Sequence, residues 1–472
     1  MIFKKSWQSG EFCADWKKED IAPVFKKGKK EDPENYRQVT VTSVPSKIME
    51  QILQENLPRH MENKKVFCDS HHGFTKGKSC LTNWVVFYDK AMEMVDNGRA
   101  TDSIEENEVY LPNDELWIYE IDSGLWTMHL MEGELPTSMS GSCGASMNGK
   151  LYIFGGFDDK GYSNRLYYVN LRTKNGTYRW KKITNFKGQP PTPRDKLSCW
   201  VYKDRLIYFG GYGCRKHNEL SDCFDVHDAF WEGQIFWGWH NDVHVFDTTT
   251  QTWSQPAIRG GDPPQPRAAH TCAVLGNKGY VFGGRVLQTR MNDLHCLDLD
   301  TWTWSGRINI SGEKPKDRSW HTLTPIGDDR LFLFGGLSSD NGPLSDGWIH
   351  STTTNGWKQL THLPKSRPRW WHTACLGKEG EVMVFGGSKD DLHFMDTGHC
   401  SDLLIFQTQP YSLLRLSLDC IGKNAALLKN QIPCLPSKLL QQVLKKITFW
   451  AAVNHRQERK AESERQTQLN TT

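Results

Sequence analysis

Between residues 102 and 408, apolar and polar positions alternate in short runs separated by Gly, Asn and Asp, the pattern of short antiparallel strands joined by tight turns. Five of these runs end in a diglycine, at Gly155-Gly156, Gly210-Gly211, Gly283-Gly284, Gly335-Gly336 and Gly386-Gly387. The first glycines are spaced 55, 73, 52 and 51 residues apart, and all but the last copy is followed by a tryptophan: Trp180, Trp253, Trp304 and Trp357. A period of about fifty residues, each holding four short strands, predicts the blades of a β-propeller. Ahead of the first diglycine, Glu115-Leu116-Trp117-Ile118-Tyr119-Glu120 and then Trp126 read as the second half of a blade whose first half is missing. The expectation is an all-β propeller of the six-bladed type with an incomplete first blade and five whole ones. The 73-residue spacing carries about twenty extra residues between Cys214 and Gly238, too many for a tight turn, and predicts a loop beside a pocket. After Gln409-Pro410 the alternation stops, and Leu413, Leu416 and Ile421 fall at helical spacing.

Composition narrows the class. The chain has 472 residues, 38% hydrophobic and 24% charged, with no run of about 18 apolar residues, so a membrane-spanning role is not expected. Thirteen cysteines without paired Cys-x-x-Cys spacing, and a start lacking an apolar leader core, predict reduced thiols and a cytoplasmic or nuclear location. Residues 1–100 hold 17 basic against 14 acidic side chains, which accounts for the whole net charge of +3 and leaves the remainder neutral. A neutral body argues against nucleic-acid binding, whose affinity comes from many cations on phosphates. Lys26-Lys27-Gly28-Lys29-Lys30 is the densest basic run, but Glu31, Asp32 and Glu34 follow it, as on a solvated loop.

The diglycine, the aromatic run before it and the tryptophan at fixed distance resemble the kelch repeat, over residues 102–408. Residues 1–101 share none of these signals. Their stretches IAPVFKKGKKEDPENYRQVTVTSVPSKIMEQIL and DSHHGFTKGKSCLTN resemble the early part of a LINE-type retrotransposon reverse transcriptase. That resemblance ends near Ala100, before the metal-binding carboxylates of such a polymerase, which implies a non-catalytic passenger fragment. Cys68, His71 and His72 lack a well-spaced fourth ligand, Cys80 being poorly placed, and neither metal nor cofactor is expected.

Phrases such as PRDKLSCWVYKDRLIYFGGYG, PRAAHTCAVLGNKGYVFGGR and RMNDLHCLDLDTWTW resemble the kelch-domain substrate receptors of cullin-2 RING ubiquitin ligases. The resemblance implies binding of proteins that end in Gly-Gly through their free terminal carboxylate. It puts Arg285, Arg290 and Ser319 on that carboxylate, with Lys196, Tyr212, Trp239 and Trp320 on the peptide backbone and pocket walls. Two guanidiniums suit a carboxylate, and aromatic walls would admit only residues without side chains. From spacing alone these residues read as readily as solvated loop arginines and blade-packing tryptophans. Trp371 occupies the place of Trp320 one unit on, and His270, His321 and His372 recur as structural hydrogen-bonding groups.

In the tail, Ser412, Leu413, Ser417 and Ile421 resemble an elongin C box, and Leu435, Pro436, Leu439 and Val443 a cullin-2 box. The resemblance implies elongin C, elongin B and cullin-2 with its RING protein as partners, bound by helices within 409–450. A helical hairpin serving only the fold is the other reading of the same spacing. Residues 451–472 are of mixed charge and expected to be disordered. The resemblance thus points to a non-catalytic ligase subunit. A kelch interaction scaffold without a ligase role, or a non-functional truncated propeller, stands as the alternative, and an enzyme would need a nucleophile or metal cluster that the sequence does not display.

Overall fold

The computed structural model describes residues 113–469 apart from 174–175, 231–233, 288, 362, 364–366 and 390–399, and the strands Asp20–Phe25, Tyr36–Val41 and Trp84–Val86. Two compact units divide the chain: Leu81–Tyr119 with Trp126–Gln409, and Met1–Cys80 with Glu120–Leu125 and Pro410–Thr472. Asp20–Phe25 pairs antiparallel with Tyr36–Val41. The rest of the reverse-transcriptase-like fragment, including Lys26–Lys30, Cys68, His71, His72 and Cys80, lies outside the described residues.

Blades follow the diglycine repeat. Cys143–Met147, Lys150–Phe154, Leu166–Asn170 and Tyr178–Lys182 form one antiparallel series, and three further quartets repeat it, such as Thr271–Leu275, Lys278–Phe282, Leu294–Asp298 and Thr303–Arg307. The last blade holds three strands among the described residues, Thr373–Leu376, Val382–Phe385 and Leu403–Phe406, so among these residues four blades are whole where five are expected. No repeat tryptophan follows its diglycine, and the fourth strand is the one that carries it. In the incomplete first blade, Glu115–Glu120 and Leu125–Gly133 form the expected half, and Trp84–Val86 lies beside Glu115–Glu120 at the sheet edge. Leu125–Gly133 also pairs parallel with Tyr178–Lys182, Trp180 opposite Gly133. A Cβ on Gly133 would sit 2.4 Å from the Trp180 carbonyl oxygen, so only glycine allows this approach.

One contact recurs from blade to blade. The fourth-strand tryptophan packs on the second-strand phenylalanine of the preceding blade: Trp253 on Phe154 at 5.3 Å between ring centroids, Trp304 on Phe209 at 5.4 Å, and Trp357 on Phe282 at 5.1 Å. Trp126 of the first blade meets Phe385 of the last at 4.9 Å by the same rule, so first and last blades join although the first is incomplete among the described residues.

A buried arginine clasps each of the later junctions. Arg267 donates from Nη1 and Nη2 to Asp293 at 2.7 and 2.8 Å and from Nη1 to the Gly283 carbonyl at 2.9 Å. Arg318 does the same with Asp346 and Gly335, and Arg194 with Asp242 and Gly210; Arg369 pairs with Asp402 through Nη2 and with Gly386 through Nη1. Against the burial that by itself would raise it, Arg194 holds the Asp242 carboxyl well below its usual range. In the second blade the corresponding positions are Met139 and Arg165, so both partners of the pair are exchanged together.

The helical unit contains Leu413–Lys423 and Ser437–Leu469. Its core is Leu418, Ile432 and Val443, with Ile421, Leu435 and Leu439 against them. Gly422 faces the Lys446 backbone, where an added Cβ would come within 3.0 Å of carbonyl carbon and oxygen. The second helix runs on to Leu469, so the expected disordered tail at 451–472 is helical over most of its length. Ala, Glu, Arg, Lys and Gln dominate that stretch, with no Gly or Pro to stop it. Among the described residues no helix is long and apolar enough to cross a membrane, and every cysteine is a free thiol.

Candidate functional site

One residue per blade turns left-handed just before the first strand: Gly141, Lys196, Ala269, Trp320 and Trp371, with φ of 63°, 52°, 52°, 51° and 60°. Backbone hydrogen bonds string them together. Lys196 N–H donates to Gly141 O at 2.8 Å, Ala269 to Lys196 at 2.9 Å, Trp320 to Ala269 at 2.9 Å, and Trp371 to Trp320 at 2.8 Å. This string places two of the sequence-predicted pocket residues, Lys196 and Trp320, at equivalent positions two steps apart. Three non-glycine side chains larger than Ala held at positive φ mark strain that the rest of the fold must over-determine, as is common at ligand sites.

Arg285 and Arg290 pair across a short hairpin, and the Arg285 backbone exchanges hydrogen bonds with Ala268. Both guanidiniums stand over the Trp320 ring, at 4.8 and 5.8 Å from its centroid. Arg290 is only 3% exposed and donates through Nε to Ser319 Oγ at 2.9 Å, Ser319 being fully buried. Arg285, Arg290, Ser319 and Trp320 therefore converge. Trp320 also packs against Trp370 and Trp371 at 5.5 and 5.9 Å. Its indole N–H is buried and has no hydrogen-bond partner among the described residues.

Lys196, Tyr212 and Trp239 form a neighbouring cluster. Lys196 Nζ pairs with Asp195 at 2.8 Å, and Asp195 lies opposite Tyr212 in a four-stranded sheet. Tyr212 meets Trp239 at 5.1 Å, and its hydroxyl is 3.0 Å from His227 Nδ1. The two clusters join through Ala269, which donates to Lys196 and accepts from Trp320.

The segment expected as a loop is instead sheet: Tyr212–Lys216, Phe224–Phe230 and Ile235–His240 join Arg194–Asp195. Gly213 and Gly238 sit opposite each other, and a Cβ on either would lie 2.1 Å from a facing carbonyl oxygen. These two glycines let the strands lie close enough to pair. His227, Ala269 and Trp370 were not singled out in the sequence. The recurring Pro-Arg pair, Pro193-Arg194, Pro266-Arg267 and Pro368-Arg369, whose arginine stands two residues before the left-handed position, is the signal that would have found the last two.

His270 and His372 stay neutral, burial above all pushing each down to about 3, aided by the Arg267 and Arg369 charges. His270 Nε2 is 2.7 Å from Ser198 Oγ and His372 Nε2 is 3.0 Å from Thr322 Oγ1, which suits their expected structural role. Among the described residues no group of His, Cys, Asp and Glu could hold a metal ion.

Residues 104–336 match the KLHDC2/KLHL20/DRC7 Kelch-repeats domain. The chain is 81% identical over 362 residues to Kelch domain-containing protein 1 of Homo sapiens, an alignment covering 77% of this chain and 89% of that protein. The chain belongs to the Kelch-repeat family. Kelch domain-containing protein 2 of Homo sapiens is 46% identical over 337 residues, 71% of this chain and 82% of its own length. As a Kelch propeller the chain is a protein-interaction module, and its arginine-tryptophan cluster is the candidate interaction site.

The two boxes in the tail fare differently from each other. Ser412 caps the first helix, its hydroxyl accepting from Arg415 N at 3.2 Å. Leu413 and Leu416 face outward, 58% and 49% exposed, while Ser417 and Ile421 are half-buried. The expected single face of Leu413, Leu416 and Ile421 is thus split, because Leu414, Leu418 and Ile421 form the stripe that packs inward. Val443 is fully buried, Leu435 and Leu439 half-buried, and Pro436 exposed just before the second helix.

Proposed function

We propose that this chain is the substrate-recognition subunit of a cullin-2 RING ubiquitin ligase, and that it binds the free C-terminus of proteins ending in Gly-Gly. The observation that carries the reading is the convergence of Arg285 and Arg290 over Trp320, with Arg290 held by buried Ser319. Two guanidiniums side by side in a mostly desolvated niche, one of them oriented by the Ser319 hydroxyl, match a carboxylate in charge and in donor geometry. Lys196 extends the positive side toward the carbonyls of the preceding residues, and Tyr212, Trp239 and Trp320 wall the approach against side chains.

On this reading the chain performs no covalent chemistry and presents its target to a partner-bound ubiquitin-conjugating enzyme. Leu413 and Leu416, exposed on the first helix, suit an apolar groove on elongin C, with elongin B and cullin-2 completing the assembly. Ile421 and Val443 serve by holding the helices together.

The test is a pair of titrations on the full chain, one with a labelled peptide ending in Gly-Gly and one with its C-terminal amide. Amidation is expected to remove most of the affinity; equal binding of the two would overturn the reading. Leu413→Asp with Leu416→Asp should abolish capture of elongin C while leaving peptide binding unchanged.

A further inference from the structure

Among the described residues the last blade ends in an open edge. In the fifth blade, the fourth strand Gly356–Gln359 pairs with Gly347–Ser351, with Trp357 opposite His350 and its ring 5.1 Å from Phe282 of the preceding blade. The clasps Arg318–Asp346 and Arg369–Asp402 align the fifth and sixth blades residue by residue, so Leu403–Phe406 corresponds to Gly347–His350. Among the described residues the strand pairing with Leu403–Phe406 is Val382–Phe385 alone, which leaves its other side unpaired, and Ile405 is 45% exposed.

Beside that edge lies a cleft of about 860 Å³ lined by Phe332, Phe334, Leu360, Leu363 and residues 403–408. Phe334 corresponds to Phe282, the ring on which Trp357 sits. Here Phe406, 4.6 Å away, leans on Phe334 together with His372 at 5.4 Å, and no tryptophan does among the described residues. Each whole blade shows what such a cleft accepts, since Trp253, Trp304 and Trp357 all enter the equivalent place on a short strand of small and polar residues.

We propose that the outer edge of the sixth blade is a second interaction surface, which binds an extended segment of a partner protein by strand addition to Leu403–Phe406. The segment carries a tryptophan between a small residue and a polar one, in the manner of Gly356-Trp357-Lys358. The tryptophan lies opposite Phe406 and covers Phe334, the backbone satisfies the open edge, and the polar neighbour passes over Ile405. This surface needs no terminal carboxylate and is independent of the arginine-tryptophan cluster.

The probe is the peptide Thr-Asn-Gly-Trp-Lys-Gln-Leu, the sequence of residues 354–360, acetylated at one end, amidated at the other and fluorescently labelled. Titrated with the full chain and read by anisotropy, it should bind saturably. Replacing its tryptophan by alanine should weaken binding by about tenfold or more, as for a buried aromatic anchor. Ile405→Asp, at an exposed position, should abolish binding while the thermal unfolding midpoint and the affinity for a Gly-Gly terminus stay as in the parent. The proposal is overturned if the full chain shows no saturable binding, including the case in which another stretch of the same chain already covers the cleft. Equal affinity for the tryptophan and alanine peptides, or undiminished binding by Ile405→Asp, would equally overturn it.

Discussion

Trp126 packs against Phe385 at 4.9 Å, and by that contact the first blade meets the last although the first blade is incomplete among the described residues. The pair repeats the geometry of Trp253 with Phe154 and Trp357 with Phe282, so closure relies on an element the repeat already encodes.

Trp126→Ala should therefore cost more than its half-buried position alone suggests. The expected loss is about 2–4 kcal/mol, toward the lower end for a large aromatic removed from a core. Urea unfolding checks it, with Trp126→Phe retaining most of the stability. A loss no larger than that of an exposed-site control would mean that the ring does not depend on this junction.

The arginine clasps make a prediction with opposite signs for one and two changes. Arg318→Met leaves the Asp346 carboxylate largely buried without its cation and should cost about 3–5 kcal/mol. Adding Asp346→Asn removes the stranded charge while keeping an acceptor for Trp348 Nε1, which donates to Asp346 at 2.6 Å, and should restore a good part of that loss. Met139 and Arg165 in the second blade already tolerate the exchange of both partners. A double-mutant cycle by urea unfolding measures the coupling.

Stability should fall in weak acid because of the three histidines. His270 and His372 are pushed down to about 3 and His321 well below its ordinary value, burial being the main cause in each. Folded values lie below the unfolded 6.5, so the unfolded chain takes up protons first, and stability is complete above pH 6.5 and lost as pH falls below it. Each contributes a slope of up to about 1.4 kcal/mol per pH unit. The depressed carboxylates Asp242 and Asp293 act in the same direction, but only as pH approaches their unfolded 3.8. Urea midpoints that stay level between about pH 7.5 and about pH 5 would contradict this.

The propeller was legible because diglycine and tryptophan recur at a period that only stacked blades explain. The Cys214–Gly238 insertion reads as loop because Gly213, just before it, and Gly238, at its end, look like turn residues until the two are seen paired across adjacent strands. The left-handed string was illegible for a different reason: Lys196, Ala269, Trp320 and Trp371 have no intrinsic preference for that conformation, and the tertiary fold imposes it. The tail's spacing fixed a helix but not its inward face, since leucines at 413, 414, 416 and 418 permit more than one stripe. Arg285, Arg290, Ser319 and Trp320 converge, yet nothing in the spacing of 34 residues between Arg285 and Ser319 shows that the two belong to one cluster.

Within that cluster, Arg290 and Ser319 should not behave as independent contacts. Ser319 Oγ accepts from Arg290 Nε, which fixes the plane of the guanidinium. Arg290→Gln should weaken binding of a Gly-Gly terminus by about 2–5 kcal/mol, the scale for removing one member of a desolvated charge pair, and should leave the weak binding of the amidated peptide unmoved. Ser319→Ala should cost about 1–2 kcal/mol in the parent and almost nothing once Arg290 is gone, because the hydroxyl acts through the arginine. Arg290→Lys keeps the charge but not the fork, so its affinity should fall between the two. Titration calorimetry on the four proteins of the cycle measures the coupling; additive losses would place Ser319 on the ligand directly rather than behind Arg290.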